Sequence, residues 1–199
     1  MGMDAARRAG RTRLGPERER ELYAAVIELL REVGYEALTM DAVAARTRSS
    51  KATLYRQWKG KPDLVIAALR DHKPVRVRDI DTGTLAGDLR ELVGQMANRG
   101  EQETAIIRAL AVAIEQDPDL ARVFHDSLVQ PEVEALGHML DRATSRGELD
   151  PKRSAAAFLP HLMLGALITR PLVENRQADR PYLRRYVDAV VLPALGLVG

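Results

Sequence analysis

The chain has 199 residues, with 30 Lys and Arg, 28 Asp and Glu, 4 His and no Cys. At 46% hydrophobic and 29% charged it has the composition of an ordinary folded protein, which excludes a wholly disordered or fibrous chain. The missing thiol excludes disulfides, Cys-ligated zinc, iron–sulfur clusters and cysteine nucleophiles.

A chain of this length buries roughly 70% of its unfolded surface, enough for a core without staples. Residues 1–20 carry Arg7, Arg8, Arg11, Arg13, Arg18 and Arg20 around no apolar stretch, so no signal peptide is expected. No window of 18 uncharged apolar residues occurs, so no membrane partner is expected either. The net charge of +2 conceals an asymmetry. Residues 1–78 hold 17 Lys and Arg against 10 Asp and Glu, whereas residues 79–199 hold 13 against 18. Such a bias hints at nucleic acid or an anionic surface as the partner of one part.

Met1–Pro16 is basic and without apolar period, and reads as an arm (1–16). Glu17–Val33 is the first helix, with Leu22, Val26, Ile27, Leu29, Leu30 and Val33 on one face, and Gly34 suits a left-handed position after it. Thr39 offers an N-cap hydroxyl, and Asp41 suits the first turn of a second helix, Met40–Arg46. Thr47-Arg48-Ser49 breaks the pattern. Ser50 caps a third short helix, Lys51–Trp58, with Leu54 and Trp58 inward. Pro62 and Asp63 open a fourth helix, with Leu64, Val65, Ala68 and Leu69 apolar and His72 at its end.

Residues 73–83 mark a boundary. Helical periods follow at Thr84–Asn98, Glu103–Glu115, Pro118–Val129, Pro131–Ser145, Lys152–Thr169 and Pro181–Leu195, and Pro160 is expected to kink its helix. No segment alternates with period two. The fold class is therefore all-α, with about nine helices. Its parts are an N-terminal helix-turn-helix domain (17–72) and a C-terminal helical domain (73–199).

Two short helices behind a longer amphipathic one outline a helix-turn-helix. With Leu54 and Trp58 inward, Ser50, Lys51, Thr53, Tyr55 and Arg56 point outward. They form a polar, cationic, aromatic-tipped face suited to phosphates and base edges. A merely solvated helix face is the plain alternative. Of the histidines, His125, His138 and His161 stand on three different helices and lack the spacing of a metal site, so neither metal nor cofactor is expected. No Gly-rich phosphate loop, Glu-x-x-His pair or nucleophile elbow is present, so no catalytic residue is assigned and an enzyme is not expected.

Val43-Ala44-Ala45-Arg46-Thr47-Arg48-Ser49-Ser50-Lys51-Ala52-Thr53-Leu54-Tyr55-Arg56-Gln57-Trp58, with Gly34, Thr39, Lys61 and Asp63-Leu64 at matching spacing, resembles the N-terminal domain of tetracycline-repressor-like (TetR family) transcriptional regulators. The Arg146-Gly147-Glu148-Leu149 turn is similar more weakly. The family's usual Ala-Gly-Val-Ser turn is here Thr47-Arg48-Ser49-Ser50. Arg48 thus stands where a glycine is often wanted, and Ser49 where a buried valine is usual. Trp58 replaces the usual Phe, Ala52 a Gly, and Gly60 a Ser N-cap.

The resemblance implies a homodimeric, ligand-responsive, cytoplasmic DNA-binding repressor whose partners are double-stranded operator DNA and an unknown small-molecule effector. It implies phosphate contacts from Thr39 and Lys61, contacts to phosphate or a base edge from Tyr55 and Arg56, and major-groove contacts from Ser50, Lys51, Ala52 and Thr53 beside Ser49. Arg11 and Arg13 are candidates for the minor groove. Lys51 is the candidate reader of guanine. Met96, Ile107, Leu110, Ile114, Phe124, Leu128, His138, Met139, Phe158, His161 and Leu162 are candidate pocket residues, although the apolar ones are more often plain core and the histidines core or surface. Phe158, Met163, Leu167, Tyr182, Tyr186, Val187 and Val190 are candidates for a dimer interface. The alternative is a helical protein-interaction module without specific DNA binding.

Overall fold

The computed structural model describes residues 14–72, 76–97, 106 and 110–197. Arg11, Arg13 and Ile107 lie outside the described residues. Every regular element among the described residues is helical and none is a strand.

Helix α1 spans Pro16–Ala37. Pro16 begins it, where its missing N–H costs nothing, and Glu17 and Glu19 favour the dipole of the first turn. Leu22, Val26, Ile27, Leu29 and Leu30 are buried on one face, as their spacing dictates. Gly34 takes φ 75°, as expected, but one further turn follows it. Residues 35–37 therefore belong to α1, and the Tyr35 side chain is buried there. Helices α2 (Met40–Thr47), α3 (Lys51–Gln57) and α4 (Lys61–Asp71) follow closely. Leu64, Val65, Ile66 and Ala68 of α4 are buried, and α4 packs along α1.

The chain divides into two compact units, the first taking residues 1–73 and 105–127, the second 74–104 and 128–199. Packing therefore cuts the chain differently from a linear boundary near residue 73. In the first unit, helical residues 110–116 (α6) and helix α7 (Pro118–Phe124) join the N-terminal helices, with α7 lying against α4. Asp117 caps α7 by accepting from the backbone N–H groups of Asp119 and Leu120, both at 3.0 Å, and the Tyr35 hydroxyl donates to its other oxygen at 3.1 Å. These bonds, the helix-end N–H of Leu120 first, hold the Asp117 carboxyl below its ordinary range.

The second unit contains α5 (Leu85–Ala97), α8 (Gln130–Ser145), α9 (Leu159–Glu174) and α10 (Arg180–Tyr186). A wide turn at His125–Val129 leads into α8, and another at Val187–Val191 prolongs α10. Leu85, Leu89, Leu92, Met139, Leu159, Met163, Leu183, Val187 and Val191 share one core. Two buried charges tie it together. Asp88 accepts from the Thr82 N–H at 2.6 Å and the Thr82 hydroxyl at 2.8 Å, with Arg142 and Arg146 at 3.6 and 3.9 Å. Arg170, 4% exposed, donates to the Gln177 carbonyl (2.6 Å), Asp179 (3.1 Å) and Glu174 (3.2 Å), and stacks on the Tyr182 ring.

Several expectations for this unit need correction. A turn of 3-10 helix, Ser154–Phe158, precedes α9, so no continuous helix begins at Lys152. Pro160 lies in the first turn of α9, where it displaces no helical bond; the proline inside the helix is Pro171. Met163 and Val187, expected at a subunit interface, face their own core. Exposed apolar side chains are instead Leu164, Ile168, Leu172 and Val173 of α9, the last 81% exposed, with Phe158 just before the helix and Val190 on the turn that prolongs α10. Leu167, Tyr182 and Tyr186 are half-buried.

Candidate nucleic-acid interface

The helix-turn-helix is assembled by local caps. The Thr39 hydroxyl accepts from the Ala42 N–H at 3.1 Å and starts α2. Arg48 ends α2 in the left-handed region (φ 50°, ψ 37°). The turn therefore keeps the backbone that a glycine favours, without the glycine. Ser50 then starts α3, its hydroxyl accepting from the Thr53 N–H at 3.1 Å and lying 2.8 Å from the Thr53 hydroxyl. Arg48→Gly relieves a left-handed side chain that costs roughly 1–2 kcal/mol, partly offset by the freer unfolded chain. Chemical denaturation should show a gain of about 0.5–1 kcal/mol. An unchanged or lowered midpoint would show the Arg48 conformation to be unstrained.

Leu54 and Trp58 both point inward, as their spacing requires, and Trp58 meets Tyr23 edge to face at 5.8 Å. Lys51, Ala52, Tyr55 and Arg56 are left exposed along α3, Tyr55 at 54%. Thr53 and Ser49 are half-buried. The Ser49 hydroxyl reaches only the Thr47 carbonyl, at 3.5 Å, and replaces no apolar plug; the Trp58 indole is the large apolar group of this corner.

Two of the candidate cations have partners that the sequence does not reveal. The Lys51 ammonium forms an ion pair with Asp41 at the start of α2. Lys61 donates to the backbone carbonyls of Tyr35 (3.0 Å) and Glu36 (3.4 Å) and lies 4.1 Å from the centre of the Tyr35 ring. It therefore fastens the start of α4 to the end of α1. Arg46 is turned to α1, where it makes two bonds to Glu32 (3.1 and 2.6 Å) that hold the Glu32 carboxyl below its usual range. Arg48, Lys51 and Arg56 are the exposed cations of the turn and α3.

Behind α3 a cleft of about 320 Å³ is lined by Glu19, Tyr23, Gln57, Trp58, Asp63 and Arg70, among others. Glu19 accepts from the Tyr23 hydroxyl (2.7 Å) and from Gln57 (3.2 Å), joining the end of α3 to α1. Burial first, and the Glu19 carboxylate second, push the Tyr23 phenol up to about 12. The folded state holds this proton more tightly than the unfolded chain does. Its contribution is complete below pH about 10 and is lost as the pH rises toward 12. Tyr23→Phe should flatten the alkaline fall in unfolding free energy between those limits, and an unaltered slope would contradict the assignment.

The candidate pocket residues are divided between the two units. Leu110, Ile114 and Phe124 belong to the first unit, the others described to the second. Met139 is buried in the core, while His138, Phe158 and His161 are exposed. Met96 and Leu162 are half-buried against the core, and Leu128 is half-buried.

Comparison with known proteins agrees with the geometry of α1–α4. Residues 22–68 match the family model described as bacterial regulatory proteins, tetR family, and residues 79–190 match the tetracyclin repressor-like C-terminal domain. An uncharacterized HTH-type transcriptional regulator of Mycobacterium tuberculosis is 37% identical over 181 residues, covering 89% of this chain and 88% of that one. The DNA-binding transcriptional repressor TetR of Mycobacteroides abscessus is 31% identical over 182 residues, covering 89% of this chain and 94% of that one. Among solved structures, the flavonoid-responsive regulator FrrA shares the fold, with a TM-score of 0.67 at 22% identity over 92% of this chain and 97% of that one. The chain belongs to the tetR family of bacterial regulatory proteins and is a helix-turn-helix, DNA-binding transcriptional regulator.

Proposed function

We propose that the chain is a homodimeric repressor, acting in the cytoplasm without catalysis, that leaves double-stranded operator DNA when a small molecule occupies its C-terminal domain (73–199). The observation that carries the DNA contact is the exposed face of α3, with Lys51, Ala52, Tyr55 and Arg56 outward while Leu54 and Trp58 anchor it. Ser49, Ser50 and Thr53 border that face. Thr39 and Lys61 contact phosphate at its flanks, and Arg11 and Arg13 serve the neighbouring minor groove. The repressor name of one relative and the flavonoid-responsive name of one structural neighbour support release by an organic effector. Met96, Leu128 and Leu162 are its candidate contacts in this chain.

The pairing surface is the apolar face of α9, with Val190. Phe158, Leu164, Ile168, Leu172 and Val173 are side chains that a second copy would cover. The stretch Ser154–Glu174 is also long and apolar enough, by length and composition, to cross a membrane, and 22% of it is buried. Pairing accounts for it better, because Arg170 near its end is held by three polar groups and a tyrosine ring of its own unit. Half-buried Leu167, Tyr182 and Tyr186 are candidates for the rim.

The test uses a duplex selected from a random pool by the wild-type chain. Lys51→Ala should relax base preference, whereas Lys61→Ala should weaken all sequences alike and lower the salt slope by about 1. Identical behaviour of the two variants would contradict the assigned roles. In sedimentation, Ile168→Glu should give a monomer whose affinity for the selected duplex falls at least about tenfold. A variant that stays dimeric and binds normally would remove α9 from the interface.

A further inference from the structure

Asp41 is the only acidic residue between Met40 and Trp58, a stretch that also holds Arg46, Arg48, Lys51 and Arg56. On a surface facing phosphates a carboxylate repels, so its presence needs a reason. Helix stability is a weak one. A first-turn carboxylate gains a few tenths of a kcal/mol from the helix dipole, and so would the same residue on a helix far from DNA. The ion pair with Lys51 is a weak one too. The two side chains are 61% and 58% exposed, and pairs that open to water hold a fold together very little. What the pair does alter is the charge that Lys51 presents. Its ammonium, on the first residue of α3, is neutralised by a neighbour from the preceding helix.

We propose that Asp41 is a specificity-determining residue of the DNA interface, acting by holding Lys51 away from phosphate until a base-edge acceptor competes for it. This rests on the DNA-binding reading of α3 given above. On duplex of arbitrary sequence, Lys51 keeps its carboxylate and releases no counterion from the phosphate backbone. On a site offering guanine O6 and N7 in the major groove, two acceptors at fixed positions compete for the ammonium. The carboxylate then stands beside the occupied Lys51 as a second acceptor for its remaining N–H groups. Asp41 therefore lowers affinity for arbitrary sequence more than for the preferred one, a gain in discrimination by penalising the wrong partner.

The test compares wild type, Asp41→Asn, Lys51→Ala and the double variant on a wild-type-selected duplex and on a scrambled duplex of equal length, across a salt series. Asp41→Asn should bind the scrambled duplex about fivefold more tightly, with a salt slope steeper by about 1, as Lys51 turns to phosphate. Binding to the selected duplex should change less than twofold, so the ratio between the two duplexes falls. In the Lys51→Ala background the same change should leave the slope on scrambled DNA unaltered. An equal gain on both duplexes, an unchanged ratio, or an undiminished effect without Lys51 would each overturn the proposal. Thermal midpoints of all four proteins should agree closely, since both side chains are exposed; a midpoint shift that tracks the affinity change would assign Asp41 a folding role instead. A wild-type chain that enriches no sequence at all would overturn the DNA reading on which the proposal rests.

Discussion

Trp58→Ala should lower the unfolding free energy by about 3–5 kcal/mol, the range for removing a large buried aromatic. The indole closes the corner between α1 and α3: it is buried and meets Tyr23 edge to face, while the backbone N–H of Trp58 ends α3 by donating to the Leu54 carbonyl at 2.9 Å. The backbone bond survives the substitution, whereas the ring's packing does not. Far-UV circular dichroism in urea measures the change, because the variant loses the only tryptophan of the chain. Trp58→Phe should lose less than half as much, since a phenyl ring refills most of the space. A loss under about 1 kcal/mol for the alanine variant would mean that the corner collapses without cost. DNA binding should fall with stability, since α3 depends on Leu54 and Trp58 for its seat.

Asp88→Ala should cost about 3 kcal/mol through a different mechanism, the loss of a buried acceptor with its cations left behind. Asp88 is fully buried at the start of α5. One of its oxygens takes two bonds from Thr82, while the other stands among Arg142 and Arg146. The substitution strands the Thr82 N–H and removes the counter-charge of two arginines that α8 and the turn after it bring to the same place. Asp88→Asn keeps an acceptor for Thr82 and should cost less than the alanine change. The melting midpoint of Asp88→Ala should fall by roughly 6–12 °C at about 2–4 °C per kcal/mol for a chain of this size. Equal midpoints for the alanine and asparagine variants would show that charge alone, and not the Thr82 bonds, carries the contribution.

The helix-turn-helix was legible because its signals are local. Thr39 and Ser50 act within three residues of themselves, Gly34 and Arg48 act through their own backbone angles, and Leu54 and Trp58 follow from a spacing of four. Contacts between helices were not legible. No pattern along the chain pairs Lys51 with Asp41 or turns Lys61 toward the Tyr35 carbonyl, because both depend on how consecutive helices cross. The burial of Met163 and Val187 in their own core was not legible for a related reason. Helix α9 is apolar nearly all round, so periodicity cannot say which side meets the core and which stays bare. Buried Asp88 and Arg170 likewise escaped notice, since a lone charged residue in a sequence ordinarily means surface. Pro160 misled because the 3-10 turn before it has no composition that separates it from a helix.

Hydroxyl-radical footprinting on a duplex selected by the wild-type chain tests the central claim most directly, since it maps where α3 approaches the DNA backbone. Two protected patches on one face of the duplex, centred about 34–36 Å apart and related by a two-fold axis, are the predicted result. A single patch, or protection spread evenly along the duplex regardless of sequence, would contradict a dimer that reads DNA with paired α3 helices.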